Sequence, residues 1–186
     1  MPNTKFFTKK GDKGTSLLGK CEIPKDDAFF HLLGGLDELN SWLGLARASV
    51  NGSRKLRGIS DQISDIQEEL FVAQAEVAAL GMGLKPKIKI SAGHIKKLED
   101  IIGLIDADLP PLIKFIIPGA TEPSAFLDLA RTMARKVERA AKTYSKEKKL
   151  SPDFMKFSNR LSSVLFALAR YVNYRLGVKE EHPKYK

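Results

Sequence analysis

Apolar residues recur along this chain at helical spacing. Leu56, Ile59, Ile63, Ile66, Leu70, Ala73, Val77 and Leu80 keep an unbroken alternation of three and four over about seven turns, closed by Gly81 and Gly83. The polar face of that stretch holds Asp61, Asp65, Glu68 and Glu69. A second stretch, from about Gly34 to Val50, carries Leu36, Leu39, Leu43, Ala46 and Val50. A third follows Ser91, a predicted N-cap, with Ile95, Leu98, Ile102 and Ile105 on one face. A fourth starts near Thr121 with Pro123 in its first turn, and a fifth runs from about Pro152 to Leu176. The fifth is apolar at Phe157, Leu161, Val164, Leu165, Leu168 and Val172. Stripes this regular predict an all-α, five-helix bundle with ferritin-like up-down packing.

The intervening segments are short. Residues 1–33 lack helical period and are rich in Lys, Gly and Asp, which predicts an irregular loop or short hairpin. Residues 82–90 form a Gly/Pro/Lys break. Residues 107–120 hold Pro110-Pro111, the apolar run Ile113 to Ile117, and then Pro118-Gly119. Residues 142–151 are a lysine-rich loop, and the tail at 178–186 is polar and expected to be mobile. None of these breaks is long enough for an inter-domain linker, so a single domain over 1–186 is expected.

Composition narrows the class. An apolar fraction of 43% and a charged fraction of 28% are ordinary for a globular chain. A net charge of +9 favours anionic partners without choosing among nucleotides, nucleic acid and acidic membranes. The single cysteine, Cys21, allows neither an intrachain disulfide nor a Cys-based zinc site, and fits a reducing compartment such as the cytoplasm. The residues from Met1 show no hydrophobic signal core, and no run of 18 apolar residues reads as a membrane span. His31, His94 and His182 lack metal-ligand spacing, so no protein metal site is assigned. No Ser-His-Asp or Cys-His signature stands out either.

The fourth stripe holds the most informative residues. Arg131, Arg135, Glu138 and Arg139 lie within about a 100° arc of a helix, beside an apolar arc of Leu127, Ala130, Ala134, Val137 and Ala141. Such a helix docks into a core and keeps guanidinium forks at its edge, where they suit polyphosphate oxygens. A solvated basic face with local ion pairs is the plainer reading. The run Thr8-Lys9-Lys10-Gly11-Asp12-Lys13-Gly14-Thr15-Ser16 offers backbone N–H groups, charge and hydroxyls to a phosphate, though it lacks Walker A spacing and equally describes a polar turn. Asp37, near a predicted helix start, either serves the helix dipole or anchors one of the arginines. Phe115, before Ile116-Ile117-Pro118-Gly119, is either core or a ring facing a large apolar ligand. Asn159 reads as a surface or capping residue on local grounds.

Taken in order, six blocks resemble the PduO-type ATP:corrinoid adenosyltransferases, over about Thr8 to Arg175. They are Thr8 to Leu17, Pro24-Lys25-Asp26-Asp27, Gly35-Leu36-Asp37-Glu38-Leu39-Asn40, Phe115 to Gly119, Ala130-Arg131 through Glu138-Arg139, and Asn159-Arg160-Leu161-Ser162 through Ala169-Arg170-Tyr171. The resemblance implies transfer of the 5′-deoxyadenosyl group of ATP, with Mg²⁺, to the cobalt of cob(I)alamin or a related corrinoid, releasing triphosphate. It implies that Thr8, Lys9, Lys10, Gly11, Asp12, Gly14, Thr15, Ser16 and Lys25 wrap the phosphates, and that Arg135, Glu138, Arg139 and Asn159 complete the nucleotide site. It further implies an Arg131–Asp37 pair between subunits of a homotrimer with inter-subunit active sites, and Phe115 against the corrin ring, displacing the lower axial base. A cob(II)alamin reductase or an adenosylcobalamin-dependent enzyme is an implied partner; nucleic acid and membrane are not.

Three positions depart from the family pattern. Lys10 replaces a threonine, Ala120 a glycine, and Ser163 an aspartate. They bear on affinity and corrinoid preference more than on reaction type. Two rival functions fit the same composition: a bundle that binds nucleotide or cobalamin without turnover, as a carrier or regulator, and a nucleic-acid-binding helical protein drawing on the +9 charge.

Overall fold

The structure, a computed structural model, describes residues 9–185. The chain forms a hairpin of β1 (Thr15–Leu18) and β2 (Cys21–Pro24), then α1 (Ala28–Val50), a 3-10 turn (Arg54–Leu56), α2 (Ile59–Gly81), α3 (Ala92–Asp108), α4 (Glu122–Tyr144) and α5 (Pro152–Leu176). The two strands pair antiparallel with Thr15 opposite Pro24 and Leu18 opposite Cys21. Leu18 and Ile23 turn their side chains onto the bundle.

Side-chain pairings set the helix directions. Ser60 bonds Asn51 at 2.7 Å and Gln67 donates to the Asn40 carbonyl at 3.2 Å, so α2 runs back along α1. The Phe29 and Tyr144 rings lie 6.2 Å apart and Lys136 approaches Glu38 at 3.5 Å, so α4 runs against α1. Thr121 bonds Asn173 and Glu138 bonds Asn159, so α5 runs against α4. Arg160 meets Glu99 and Tyr171 meets Asp108, which makes α3 parallel to α5. The starts of α1, α3 and α5 therefore share one end of the bundle with the finishes of α2 and α4, and the hairpin sits at that end.

The predicted stripes form the core. Leu36, Leu39, Leu43, Ile63, Ile66, Leu70, Ala130, Ala134, Val137, Leu161, Leu165 and Leu168 are buried together. Burying them removes apolar surface from water at about 25 cal/mol per Å². Two segments differ from the sequence reading. Helix α1 starts at Ala28, so residues 28–33 are helix rather than loop. Asp27 caps it by accepting the Phe29 N–H at 2.7 Å. Gly35 serves packing: a Cβ there would stand 3.3 Å from Val137 and 3.4 Å from Met133 of α4. Asp37 and Glu38 thus lie in the third turn, beyond the reach of N-capping, and the dipole does not account for them. The tail, expected to be mobile, is pinned along 180–182, because Glu180 finds Arg170 at 3.2 Å and the Glu181 carbonyl accepts from Ile117 at 2.8 Å. Among the described residues no helix is long and apolar enough to cross a membrane.

Glu69 also departs from expectation. It belongs to the polar face of α2 by periodicity, yet α3 covers it and leaves it 4% exposed. Burial raises its carboxyl pKa above the ordinary 4.5, and Lys97 Nζ at 3.1 Å only partly offsets this. The folded chain then binds the proton more tightly than the unfolded one, so stability falls as pH rises through the window above 4.5. Glu69→Gln is expected to raise the urea midpoint at pH 7, with the gain shrinking as the pH is lowered below the unfolded value; an equal gain at every pH would contradict the burial cause.

Candidate active site

Helix α4 presents its arginines as the stripe requires. Thr121 caps the helix, exchanging hydrogen bonds with Ser124, and Pro123 sits in the first turn. From there Ala130, Ala134, Val137 and Ala141 face inward, Arg131 and Arg135 emerge on the edge toward α5, and Arg139 is exposed one turn further on, the three spread over about 12 Å of helix axis. Arg131 is the fixed member. Its Nε donates to Asp128 Oδ1 at 2.9 Å, and its guanidinium lies 5.9 Å from the centre of the Phe166 ring. Both side chains of that ion pair are largely buried. Arg135 and Arg139 are exposed and make no side-chain hydrogen bond or ion pair among the described residues.

Beside these arginines lies an open cavity of ≈ 390 Å³. Leu112, Phe115, Ile116 and Pro118 form one wall; Asp128, Arg131 and Arg135 of α4 and Ser162, Ser163 and Phe166 of α5 form the other. The Phe115 ring is 78% exposed, so it is no core residue. An apolar, aromatic rim next to a row of cations can take a ligand with a large flat apolar body and a polyanionic neighbour. Ser163, one of the three departures, lines this cavity, so a hydroxyl stands there in place of a carboxylate.

Further along α4, Glu138 meets Asn159 of α5. Asn159 Nδ2 donates to Glu138 Oε1 at 2.8 Å, and Asn159 Oδ1 accepts from Arg160 Nη1 at 2.8 Å. Arg160 in turn reaches Glu99 at 2.8 Å, giving a polar chain across α4, α5 and α3. Asn159 is eight residues into α5, not a cap, and its amide is oriented at both ends.

The N-terminal loop is also ordered by its own contacts. Lys25 Nζ donates to the Gly11 carbonyl at 2.8 Å, and the Lys25 N–H to the Gly14 carbonyl at 2.9 Å. A Cβ at Gly11 would stand 3.0 Å from that ammonium, and Gly14 holds φ +82. Lys9, Lys10 and Asp12 precede the strand, with the Asp12 N–H donating to the Lys9 carbonyl at 3.4 Å. Thr15 and Ser16 fall within β1 rather than in the loop, and the Thr15 hydroxyl donates to Glu22 at 2.6 Å. Thr8 lies outside the described residues.

Two expected features are separate in one chain. The hairpin sits where α4 finishes, whereas the cavity lies beside Arg131, about 20 Å back along the helix by its rise per residue. Asp37 is exposed on α1 with no side-chain partner among the described residues, and the partner of Arg131 is Asp128. Sequence reading passed over Asp128, although its i,i+3 spacing to Arg131 was the available signal. His182, which holds the Phe115 segment, carried no signal because its partner is a backbone carbonyl, and Arg170 stood in the sixth block with no role assigned.

Comparison with known proteins finds relatives along most of the chain. The cobalamin adenosyltransferase family model matches residues 6–172. A corrinoid adenosyltransferase of Bacillus subtilis (strain 168) is 34% identical over 174 residues, covering 94% of this chain and 89% of the relative. A human corrinoid adenosyltransferase is 34% identical over 182 residues, covering 95% of this chain and 72% of the relative. Among solved structures, a variant PduO-type ATP:corrinoid adenosyltransferase from Lactobacillus reuteri complexed with cobalamin and ATP superposes with a TM-score of 0.87 at 32% identity, covering 97% of this chain and 100% of that one. The chain belongs to the cobalamin adenosyltransferase family.

The Glu138–Asn159 contact is open to a direct stability test. Asn159→Ala is expected to cost about 0.5–1.5 kcal/mol, the net worth of such a bond, with a coupling to Glu138→Ala of similar size in a double-mutant cycle followed by urea unfolding. Strict additivity would mean that the bond contributes nothing.

Proposed function

We propose that this chain is an ATP:corrinoid adenosyltransferase, moving the 5′-deoxyadenosyl group of ATP to the cobalt of cob(I)alamin or a related corrinoid. One observation carries the reading. Two arginines without side-chain partners among the described residues continue the line of a third that is fixed, and that line borders a cavity walled by an exposed phenylalanine. In the reaction, the cobalt(I) electron pair forms the Co–C5′ bond, the C5′–O bond breaks, and triphosphate leaves with the bonding pair. The nucleophile comes with the substrate, which explains a site without a catalytic base.

The protein then has three tasks. Arg135 and Arg139, with the N-terminal loop and Lys25, bind the phosphates and meet the charge that grows on triphosphate as it leaves. Glu138 and Asn159, locked to each other, orient the nucleotide beside them. Phe115, with Leu112 and Phe166, supplies an apolar surface for the corrin and excludes water and the lower axial base from cobalt. Among the described residues no group of three His, Cys, Asp or Glu could form a metal cage. Mg²⁺ would arrive with the phosphates and add charge neutralisation there.

A homotrimer with sites between subunits suits the separation of the hairpin from the cavity, since a neighbouring copy can supply the missing half. In that assembly Asp37 of one copy pairs with Arg131 of the next. The single cysteine supports a cytoplasmic location, and a cob(II)alamin reductase is the expected source of the electron. A binding protein without turnover would keep the cavity and release no triphosphate.

The direct test is to mix the protein with ATP, Mg²⁺ and chemically reduced cob(I)alamin. The visible spectrum of the cobalt–carbon bond should appear with one triphosphate per cobalt; binding without either product would favour the carrier. Arg135→Ala is expected to raise the KM for ATP about 10- to 100-fold, as loss of a charge-assisted bond does. Phe115→Ala is expected to slow conversion that starts from cob(II)alamin by roughly tenfold, about 1.4 kcal/mol, with the KM for ATP nearly unchanged. Equal loss in both would remove the wall role from Phe115.

A further inference from the structure

The Phe115 segment has no regular structure of its own. Between Leu109 and Thr121 it carries Leu112, Ile113, Phe115 and Ile117, all exposed. A wall that excludes water and a ligand base needs a fixed backbone, and helices α3 and α4 fix only its two ends. The middle is held from elsewhere. The Ile117 N–H donates to the Glu181 carbonyl at 2.8 Å, and His182 Nδ1 lies 2.8 Å from the Phe115 carbonyl. A carbonyl only accepts, so Nδ1 carries the proton in this contact. Two bonds two residues apart make a small backbone clasp, and the Phe115 ring stays free on the other side.

The clasp is anchored in α5. Arg170 Nε reaches Glu180 Oε2 at 3.2 Å, with side chains only 13% and 17% exposed. The same guanidinium donates through Nη2 to the Pro110 carbonyl at 3.4 Å, at the start of the segment. Buried Asn173 donates to Glu180 Oε1 at 3.4 Å and accepts from Thr121 Oγ1 at 2.9 Å, at the segment's far end. Pro110, Phe115, Ile117 and Thr121 are thus all tied to one short stretch, 180–182, and to the two α5 residues beneath it.

We infer that residues 180–182 form a strap that sets the Phe115 wall, with His182 and Glu180 as positioning residues for the corrinoid step. The inference rests on the role proposed above for Phe115. Neither residue touches substrate in this scheme; both act through the backbone of the loop. Cobalt(II) retains a lower ligand that the wall has to exclude, whereas cobalt(I) needs none. Loosening the strap therefore affects the cob(II)alamin complex more than transfer from cobalt that is already reduced.

The test uses the full chain and three variants: His182→Ala, His182→Asn and Glu180→Ala. Without ligand, amide exchange at Ile117 should quicken by about threefold to tenfold in His182→Ala and Glu180→Ala, the effect of losing one hydrogen bond. With Mg²⁺-ATP and cob(II)alamin, the base-free spectral fraction should fall by a similar factor, while the KM for ATP and the rate from chemically reduced cob(I)alamin stay within about twofold of the full chain. His182→Asn, whose amide can donate from nearly the same place as Nδ1, should restore most of the signal. Wild-type exchange and spectra in all three variants would overturn the strap. Faster exchange with an unchanged cob(II)alamin spectrum would leave a structural contact and overturn the positioning role. A wild-type chain inert toward cob(I)alamin would defeat the function proposed above, and the strap's place in it.

Discussion

The close seat of α4 between α1 and α5 governs the site. Ala130, Ala134 and Ala141 are fully buried along one side of α4, and Gly35 of α1 faces Val137 and Met133 with no Cβ. Small side chains let the helices approach closely, and dense interior packing leaves little freedom to rotate. The direction of every arginine on α4 is set by that fit. Larger residues at the alanines or at Gly35 would push α4 outward and turn Arg131, Arg135 and Arg139 with it.

Chemistry and architecture divide cleanly in this chain. The helical bundle positions charge; the irregular segments supply shape. Arg131 is buried against Asp128 and Phe166 and so marks the boundary between the cationic row and the apolar cavity. Arg135 and Arg139 remain exposed beyond it. The Phe115 segment, held by Arg170, Asn173 and the strap, forms the opposite wall. Such a site suits a reaction whose nucleophile and leaving group both belong to substrates, because the protein needs only to bind, align and exclude.

The helices were legible because burial imposes its period on sequence: four of five stripes map onto helices with only end residues shifted. The start of α1 was not, since residues before Gly34 read as a Lys, Gly and Asp-rich loop, whereas Phe29 and Leu32 carry the α1 stripe into the core. Glu69 reads as surface by periodicity, and only the placement of α3 buries it. Candidate site residues were legible as an ordered set of blocks, and within one chain the structure joins Glu138 with Asn159, and Phe115 with Arg131 and Arg135. Asp128 was missed because an acidic residue one turn before an arginine is common on any helix. The strap was missed for a different reason. His182 and Glu181 act on backbone atoms of a loop more than 60 residues away, and no spacing rule encodes such a contact.

A crystal structure of the chain with Mg²⁺-ATP and cobalamin tests the central claim most directly. Phosphate density should follow Arg135 and Arg139 toward a hairpin, with the corrin plane facing Phe115 and no base beneath cobalt. Nucleotide bound away from α4, with the cavity beside Arg131 empty of corrin, would contradict it.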